Sequence, residues 1–303
     1  MGSDWPLSQR RRALVERGAI FDRVRRFFQE KGYLEVETPF RIPAPAPEAQ
    51  IDAVPSGGWF LQTSPELCMK RMLAAGYDRI FQICRCWREG ERGVRHLSEF
   101  TMLEWYRAGG DYLTLMDETE ALVAAAAAAS SIRYRGLTIE LALPWERITV
   151  ADAFRRYAGS SVTEALDAGS FDEIMVERIE PRLGLTRPTF IYDYPACCGA
   201  LARLKKDDPS VAERFELYIG GLEIANAFSE LTDPVEQRKR FEAEAAERAS
   251  LGKAVYPVAE KFLAALAGMP DSAGIALGLD RLVMVLLDAE KIDDVVAFAT
   301  EEL

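Results

Sequence analysis

The segment from Ile80 to Tyr106 constrains the fold most, because it contains two strand-like stretches joined by a charged, glycine-containing loop. Side chains on a strand alternate between its two faces, so every second residue shares a face. Such a hairpin presents a cation, an aromatic ring and a carboxylate to one cleft, which suits a nucleotide and an amine together. The residues predicted on these faces are Ile80, Gln82, Cys84, Cys86 and Arg88 on the first strand, and Phe100, Met102, Glu104 and Tyr106 on the second.

Composition narrows the class of protein. The 303 residues are 49% hydrophobic and 28% charged, as in globular proteins with a full core. No apolar run approaches the roughly 18 residues that cross a bilayer, and the N-terminal residues lack the apolar stretch of a secretory signal. We therefore expect a cytoplasmic protein with no membrane partner. Five cysteines without paired CxxC motifs, and a single histidine, argue against a structural zinc site.

The net charge of −11 bears on possible partners. Phosphate binding draws on clustered Lys and Arg, so an acidic chain is not expected to bind nucleic acids broadly. Basic residues gather only locally, and those at Arg10–Arg12 and Arg23–Arg26 are typical of solvated helix faces.

Helices and strands alternate along the chain without repeats or a long linker. Apolar residues recur at helical spacing over Ser8–Lys31, Gly32 ends that helix, and Tyr33–Pro39 alternates as a short strand stopped by proline. A second helix is predicted over Asp111–Ser131. Residues 160–187 read as a helical insertion without recognisable chemistry.

The segment Glu216–Glu230 predicts a second hairpin, turning at Gly220–Gly221. This register places Glu216 opposite Ala225. Two carboxylates on one face repel each other unless a cation lies between them, and Mg²⁺ takes carboxylate and phosphate oxygens together. The alternative is a pair of solvated surface glutamates. The residues predicted to share this face are Glu216, Tyr218, Glu223 and Ala225.

The C-terminal segment Ala273–Leu286 predicts a buried strand, a glycine turn at Gly278 and an apolar helix. Arg281 falls in the first turn of that helix, where both the helix dipole and the guanidinium group favour phosphate. The alternative is a surface pair of Asp280 and Arg281 at the start of a helix.

Together these segments resemble the three motifs of class II aminoacyl-tRNA synthetases. Their form is similar to that of lysyl-tRNA synthetases and of their truncated paralogues, the elongation factor P–(R)-β-lysine ligases. The resemblance runs from about Arg11 to Phe298. It implies an α+β class II catalytic fold with a central antiparallel sheet flanked by helices. It also implies ATP and Mg²⁺ as cofactors, and a homodimer formed through the helix and strand that end at Pro39.

Lysyl-tRNA synthetases carry an N-terminal domain that reads the anticodon, and no such segment precedes Ser8 here. We therefore expect residues 1–303 to form a single catalytic domain that does not recognise a tRNA anticodon.

The resemblance also implies roles for individual residues. Arg88 and Arg281 are expected to be catalytic, and Glu216 and Glu223 to hold Mg²⁺. A bulge between Glu223 and Asn226 is predicted, because the resemblance brings both to the site although their parity differs. The expected ATP-binding residues are Arg88, Glu89, Glu91, His96, Leu97, Phe100, Glu216, Leu217, Gly278 and Arg281. The expected substrate-binding residues are Ser64, Glu66, Glu104, Tyr106, Glu223, Ala225, Asn226 and Glu230.

The chain departs from the synthetase pattern at several positions. Ala225 stands where lysyl-tRNA synthetases usually have glycine, as it does in the β-lysine ligases, which predicts a reshaped pocket. Gly90 occupies the place of a motif 2 glutamate, which leaves Glu89 or Glu91 as its substitute. The dipeptides Leu97–Ser98 and Cys197–Cys198 replace the Asn-Pro and Ser-Gln pairs expected from the resemblance.

The expected reaction joins (R)-β-lysine or lysine to ATP as an aminoacyl adenylate. The acyl group then passes to a lysine ε-amine of elongation factor P. Two alternatives stay open at this stage. One is adenylation with transfer to tRNA or a small molecule, and the other is a non-catalytic paralogue that senses lysine.

Overall fold

The computed structural model describes residues 5–199 and 201–303, and its centre is an eight-stranded sheet. The helices are α1 (Trp5–Glu30), α2 (Glu66–Ala74), α3 (Tyr112–Ala127), α4 (Val150–Ala153), α5 (Val162–Asp167), α6 (Phe171–Ile174), α7 (Pro234–Ser250), α8 (Glu260–Leu266) and α9 (Leu279–Leu286). The strands are β1 (Leu34–Glu35), β2 (Arg41–Ile42), β3 (Pro55–Ser56), β4 (Trp59–Leu61), β5 (Arg79–Trp87), β6 (Glu99–Ala108), β7 (Ser131–Tyr134), β8 (Leu137–Glu140), β9 (Glu146–Thr149), β10 (Thr189–Pro195), β11 (Val211–Ile219), β12 (Leu222–Ser229) and β13 (Ser272–Gly278).

The large sheet has the order β1-β5-β6-β13-β12-β11-β10-β9. The six inner strands, from β5 to β10, run antiparallel to one another. The edge strands β1 and β9 run parallel to β5 and β10, respectively. Helices α1, α3 and α9 contribute buried apolar residues to the core below the sheet. The expected α+β fold with a central antiparallel sheet is confirmed.

The first predicted hairpin forms as expected from its alternation. Cys86 pairs with Phe100 and Gln82 pairs with Glu104, so the predicted faces of the two strands lie on the same side of the sheet. The loop between β5 and β6 closes through the Arg88 amide, which donates to the Ser98 carbonyl at 2.9 Å. The hairpin therefore delivers its polar residues to the side of the sheet opposite the core.

The second hairpin corrects the predicted register. The turn lies at Gly220–Gly221, where both φ angles are positive (61° and 71°), a conformation that glycine adopts without strain. Tyr218 pairs with Glu223 as predicted, but Leu217 pairs with Ala225. Ile224 is therefore an extra residue, and the predicted bulge is confirmed.

The pairing of Glu216 with Ala225 was wrong because this bulge shifts the register by one residue. Glu216 pairs with Asn226 instead. Ala225 consequently packs among buried core residues and is 1% exposed. The extra residue therefore moves Ala225 off the face that Glu216 and Glu223 share.

The N-terminal helix packs against α3 through Ile20, Val24 and Phe28, all buried. Gly32, with φ of 74°, follows its end, as predicted. The strand after it covers only Leu34–Glu35, shorter than the predicted Tyr33–Pro39, because this edge strand has a single neighbour to pair with.

Two contacts hold the start of α9, one to the hairpin and one to α1. The Thr101 amide donates to the buried carboxylate of Asp280 at 2.7 Å, and Arg17 of α1 lies 2.6 Å from the other oxygen of Asp280. Asp280 is therefore a structural anchor at the start of α9 rather than half of a surface pair.

Within residues 160–187 the chain forms α5, α6 and short π- and 3₁₀-helical turns. That residues 160–187 are an insertion remains a prediction. In the described part of the chain, no helix combines the length and the apolar character needed to span a membrane.

Candidate active site

A cavity of about 180 Å³ lies above the sheet, where the β5–β6 loop, β12 and the start of α9 meet. We call it the arginine cleft. It brings together residues that the sequence places far apart. The predicted site residues that line it are Arg88, Glu91, His96, Leu97, Phe100, Glu223, Asn226, Gly278 and Arg281.

Arg88 stands at the end of β5 and faces this cleft. Its guanidinium carbon lies 5.2 Å from the centroid of the Phe100 ring, and its nearest ion-pair partner, Glu91, is 3.7 Å away. Its Nε is buried and has no hydrogen-bond partner among the described residues. Buried donors are normally satisfied, so this arrangement fits an incoming anionic oxygen.

Arg281 forms the opposite wall. Its Nη1 donates to the Glu223 carbonyl at 3.0 Å and lies 3.3 Å from the Glu223 carboxylate, and its Nη2 contacts the His96 ring. Burial, followed by the charge of Arg281, lowers the pKa of His96. The imidazole is therefore neutral at neutral pH and can accept a hydrogen bond from Arg281.

Glu216 lies behind the cleft and already has a cation. One of its carboxylate oxygens accepts from Arg214 at 2.6 Å and the other accepts from the Tyr218 hydroxyl at 2.8 Å. Arg214 also donates to Asn226 at 3.0 Å, which connects Glu216 to the cleft. The sequence analysis missed Arg214, although its parity on β11 matches that of Glu216.

The two predicted magnesium ligands, Glu216 and Glu223, interact electrostatically. Burial raises the pKa of Glu216, and Glu223 raises it further against the opposing effect of Arg214. No group of three or more metal-ligating side chains occurs among the described residues. Mg²⁺ usually takes one or two carboxylates and completes its shell with phosphates and water. Glu216 and Glu223 fit that role only together with a bound triphosphate.

A second site adjoins the cleft on the same face of the sheet. We call it the carboxylate pocket. Glu104, 1% exposed, accepts from the Ser64 hydroxyl at 2.6 Å and from the Tyr106 hydroxyl at 2.9 Å. Burial, with a smaller effect of Glu66, raises the pKa of Glu104 to about 8. The residues of the carboxylate pocket are Ser64, Glu66, Lys70, Glu104, Tyr106 and Glu230.

Lys70 is the member of this pocket that the sequence analysis missed. Its ammonium group is fully buried between Glu66 and Glu230, and lies 2.5 Å from the Glu230 carboxylate. Burial raises the pKa of Glu230 to about 8 despite the opposing effect of Lys70. The spacing of four residues between Glu66 and Lys70 on α2 was the available signal.

Gly274 of β13 makes room for the pocket. A methyl group added at this position would overlap both the Tyr106 ring and the Glu230 carboxylate. The sequence offered only a glycine inside a strand, which commonly marks a close approach of other atoms.

Three predicted site residues lie away from both sites. Glu89 is exposed and does not line the arginine cleft, whereas Glu91 does, which favours Glu91 as the substitute for the motif 2 glutamate. The side chains of Leu217 and Ala225 point into the core below the sheet. The prediction that Ala225 shares the pocket face was therefore wrong.

A cleft walled by two arginines beside a buried acidic cluster, on this antiparallel sheet, is an arrangement that suits an amino acid-activating enzyme. Residues 4–302 match the family model described as tRNA synthetases class II (D, K and N). The chain belongs to this family and is an enzyme of the class II synthetase type.

Individual relatives narrow the similarity. The chain is 40% identical to the elongation factor P–(R)-β-lysine ligase of Proteus mirabilis, over 98% of this chain and 97% of that protein. It is 39% identical to the ligase of the same name from Photorhabdus laumondii, over 98% of both chains. The corresponding ligase of Sodalis glossinidius is 40% identical over 95% of both.

Proposed function

We propose that this enzyme uses ATP to activate (R)-β-lysine and transfers it to a lysine ε-amine of elongation factor P. One observation carries the proposal. Arg88, whose buried Nε has no hydrogen-bond partner among the described residues, lies on the same face of the sheet as three clustered glutamates, Glu66, Glu104 and Glu230. The names of the similar ligases support the choice of amino acid and acceptor.

In the first step the amino acid carboxylate attacks the α-phosphate of ATP and pyrophosphate leaves. Arg88 contacts both the carboxylate and the α-phosphate, which brings two anions together and stabilises the charge that develops between them. Arg281 and His96 hold the remaining phosphates and the ribose, and Phe100 packs on the adenine. No general base is needed, because the carboxylate is already ionised.

Mg²⁺ would be held by Glu216 and Glu223 and would neutralise charge on the triphosphate. Arg214, 2.6 Å from Glu216, favours the ionised form of that carboxyl. Asn226, which accepts from Arg214, then links the metal ligands to the amino acid site.

The two ammonium groups of the substrate bind in the carboxylate pocket. Three glutamates and Lys70 carry a net charge of −2 when all are ionised. A diamino acid brings two positive charges, so the filled pocket is neutral. A desolvated ammonium group needs such partners, because an unpaired buried charge is expensive.

The test measures the two half-reactions separately. ATP–pyrophosphate exchange is expected with (R)-β-lysine and more weakly with α-lysine. Labelled amino acid should then appear on elongation factor P and not on tRNA. Exchange without transfer to elongation factor P would favour a different acceptor, and no exchange with any lysine would favour a lysine-sensing paralogue.

We also propose a homodimer formed around β1. Leu34 is 51% exposed and Phe40 is 39% exposed, and both are large apolar residues in the segment expected to dimerise. Light scattering should give about twice the mass of 33.8 kDa, and Leu34→Glu should yield the monomer. A dimer that survives this change would place the interface elsewhere. The cytoplasmic location and the single-domain organisation remain predictions.

A further inference from the structure

A second cavity of about 230 Å³ lies between α7 and the loop that joins β2 to β3. We call it the acceptor cavity. Leu201 and Phe241, both buried, give it apolar walls, and Cys197 lies at its exposed side. Glu48 lines this cavity and also lines the arginine cleft, so its side chain stands between the two.

We propose that the acceptor cavity binds the acceptor lysine side chain, and that Glu48 takes the proton from its ε-ammonium group. This inference rests on the proposed function, because it assigns a place to the second substrate of that reaction. It adds a binding site and a catalytic residue for the transfer step.

The chemistry of the walls fits a lysine side chain. Its four methylene groups can pack on Leu201 and Phe241, as lysine stems commonly do on apolar surfaces. Its ammonium group needs anionic partners, and the cavity has carboxylates at Glu48 and Glu244. The cavity also has a cation, Arg240, which pairs with Glu236 at 3.1 Å. Because Glu48 also faces the cleft with Arg88, an amine at Glu48 is directed toward the acyl adenylate.

The backbone around Glu48 is held firmly. Arg248, fully buried, donates to the carbonyls of Glu48 and Ile51 at 2.8 Å each and pairs with Asp52 at 2.7 Å. Glu244 accepts from the Ala49 amide at 2.7 Å. The Glu48 side chain itself has no hydrogen bond or ion pair within the described ranges, so its carboxylate is positioned yet free to bind a ligand.

The charged groups that face Glu48 come from four elements. Burial is the largest effect and raises its pKa to about 7, and Glu66 of α2 and Glu244 of α7 raise it as well. Arg88 and Arg214 act in the opposite direction. A general base is most effective when its pKa is close to the working pH.

The transfer step moves two protons away from the ε-ammonium group. The Glu48 carboxylate takes one proton from the ε-ammonium group, and the freed amine nitrogen attacks the acyl carbon of the adenylate. A C–N bond forms, the C–O bond to the phosphate breaks, and AMP leaves with that electron pair. The second nitrogen proton passes to the departing phosphate. Adenylation moves no proton through Glu48.

The first experiment is Glu48→Gln. Pyrophosphate exchange and hydroxamate formation, in which hydroxylamine reacts with the adenylate, should stay within about twofold of wild type. Transfer to elongation factor P should fall roughly 100-fold or more. The wild-type transfer rate should rise with pH and level off above about pH 7, and the variant should lose this inflection. Glu242→Gln, an exposed change on α7, should leave every rate unchanged.

The second experiment fills the cavity with Cys197→Trp. The KM for elongation factor P should increase, while exchange and hydroxamate formation report that the fold and the first step are intact. Wild-type transfer rates in both Glu48→Gln and Cys197→Trp would overturn the inference. Absence of exchange or of transfer in the wild-type enzyme would instead overturn the proposed function.

Discussion

The arginine cleft and the carboxylate pocket share one face of the sheet but hold their charges differently. In the cleft, the side chains of Arg281 and Glu223 are 21% and 38% exposed. In the pocket, Lys70 and Glu230 are 1% and 0% exposed. The charged side chains of the cleft are partly exposed to solvent, whereas the ion pair of the pocket is buried.

This difference matches the two ligands. A triphosphate is large and brings its own hydration and metal, so an open cleft with partly exposed arginines suffices to bind it. An amino acid must be told apart from many similar ones, and discrimination is strongest where buried polar groups are left unpaired by the wrong ligand. We therefore expect changes in the cleft to affect rate, and changes in the pocket to affect stability, pH dependence and substrate choice.

The largest expected effect comes from Arg281→Ala. Losing this guanidinium should reduce pyrophosphate exchange roughly 100- to 1,000-fold, as for other groups that stabilise developing charge. The melting temperature should change little, because Arg281 lies in the open cleft. Arg155→Ala, which breaks an exposed pair with Asp152, is the matched control and should keep full activity. An active Arg281→Ala enzyme would mean that motif 3 does not hold the nucleotide.

Lys70→Met tests how much the buried ion pair of the carboxylate pocket stabilises the fold. Removing one partner of a buried ion pair typically costs about 3–5 kcal/mol. Denaturant unfolding at pH 8 should therefore reveal a large loss of stability, smaller at pH 6, where Glu230 can take up a proton. Lys205→Met removes a half-exposed partner of Asp193 and should cost about 1 kcal/mol or less. Equal losses of unfolding free energy in the two variants would mean that the buried pair stabilises the fold no more than the half-exposed pair.

Binding of the amino acid in the carboxylate pocket should also release protons. Glu104 and Glu230 have pKa values of about 8, above the ordinary 4.5, so the empty folded protein holds more protons than the unfolded chain. Their contribution to stability is complete below pH 4.5 and is lost as the pH rises through about 8.

A dicationic amino acid favours the ionised carboxylates, so its affinity should rise toward pH 8, by about tenfold per pH unit for each proton released. Calorimetry at pH 7, in buffers that differ in ionisation enthalpy, measures that proton release directly. Glu104→Gln should reduce the number released. Buffer-independent heats would show that the carboxylates are already ionised.

The smallest expected effect is that of Ala225→Gly. Because the alanine methyl group packs in the core, it can act on the pocket only through its neighbour Asn226. We expect a shift in preference toward α-lysine that is smaller than the roughly 10- to 200-fold change of a group in direct contact with substrate. Competition between the two lysines in the exchange assay measures it. A larger shift would mean that the methyl group itself faces the substrate.

The sequence by itself determined the two hairpins, because alternation and turns follow local rules, and its resemblance to class II synthetases indicated the fold class and most of the site. Alternation placed Phe100, Met102 and Glu104 on one face of β6, and the glycine pair at Gly220–Gly221 located the second turn. The resemblance to the class II motifs predicted Arg88 and Arg281 as site residues, and the structure brings both to one cleft.

Only the tertiary structure decided the contacts between segments. The insertion of Ile224 as a bulge moved Ala225 to the core, and a shift of one residue reverses every side chain that follows. Each of Lys70 and Arg214 has a carboxylate partner nearby in sequence, but Lys70 meets Glu230 only when α2 packs on the sheet, and Arg214 meets Asn226 only when β11 pairs with β12. The spacing of residues along one strand or helix is local, whereas charge balance in a closed pocket depends on every element that closes it.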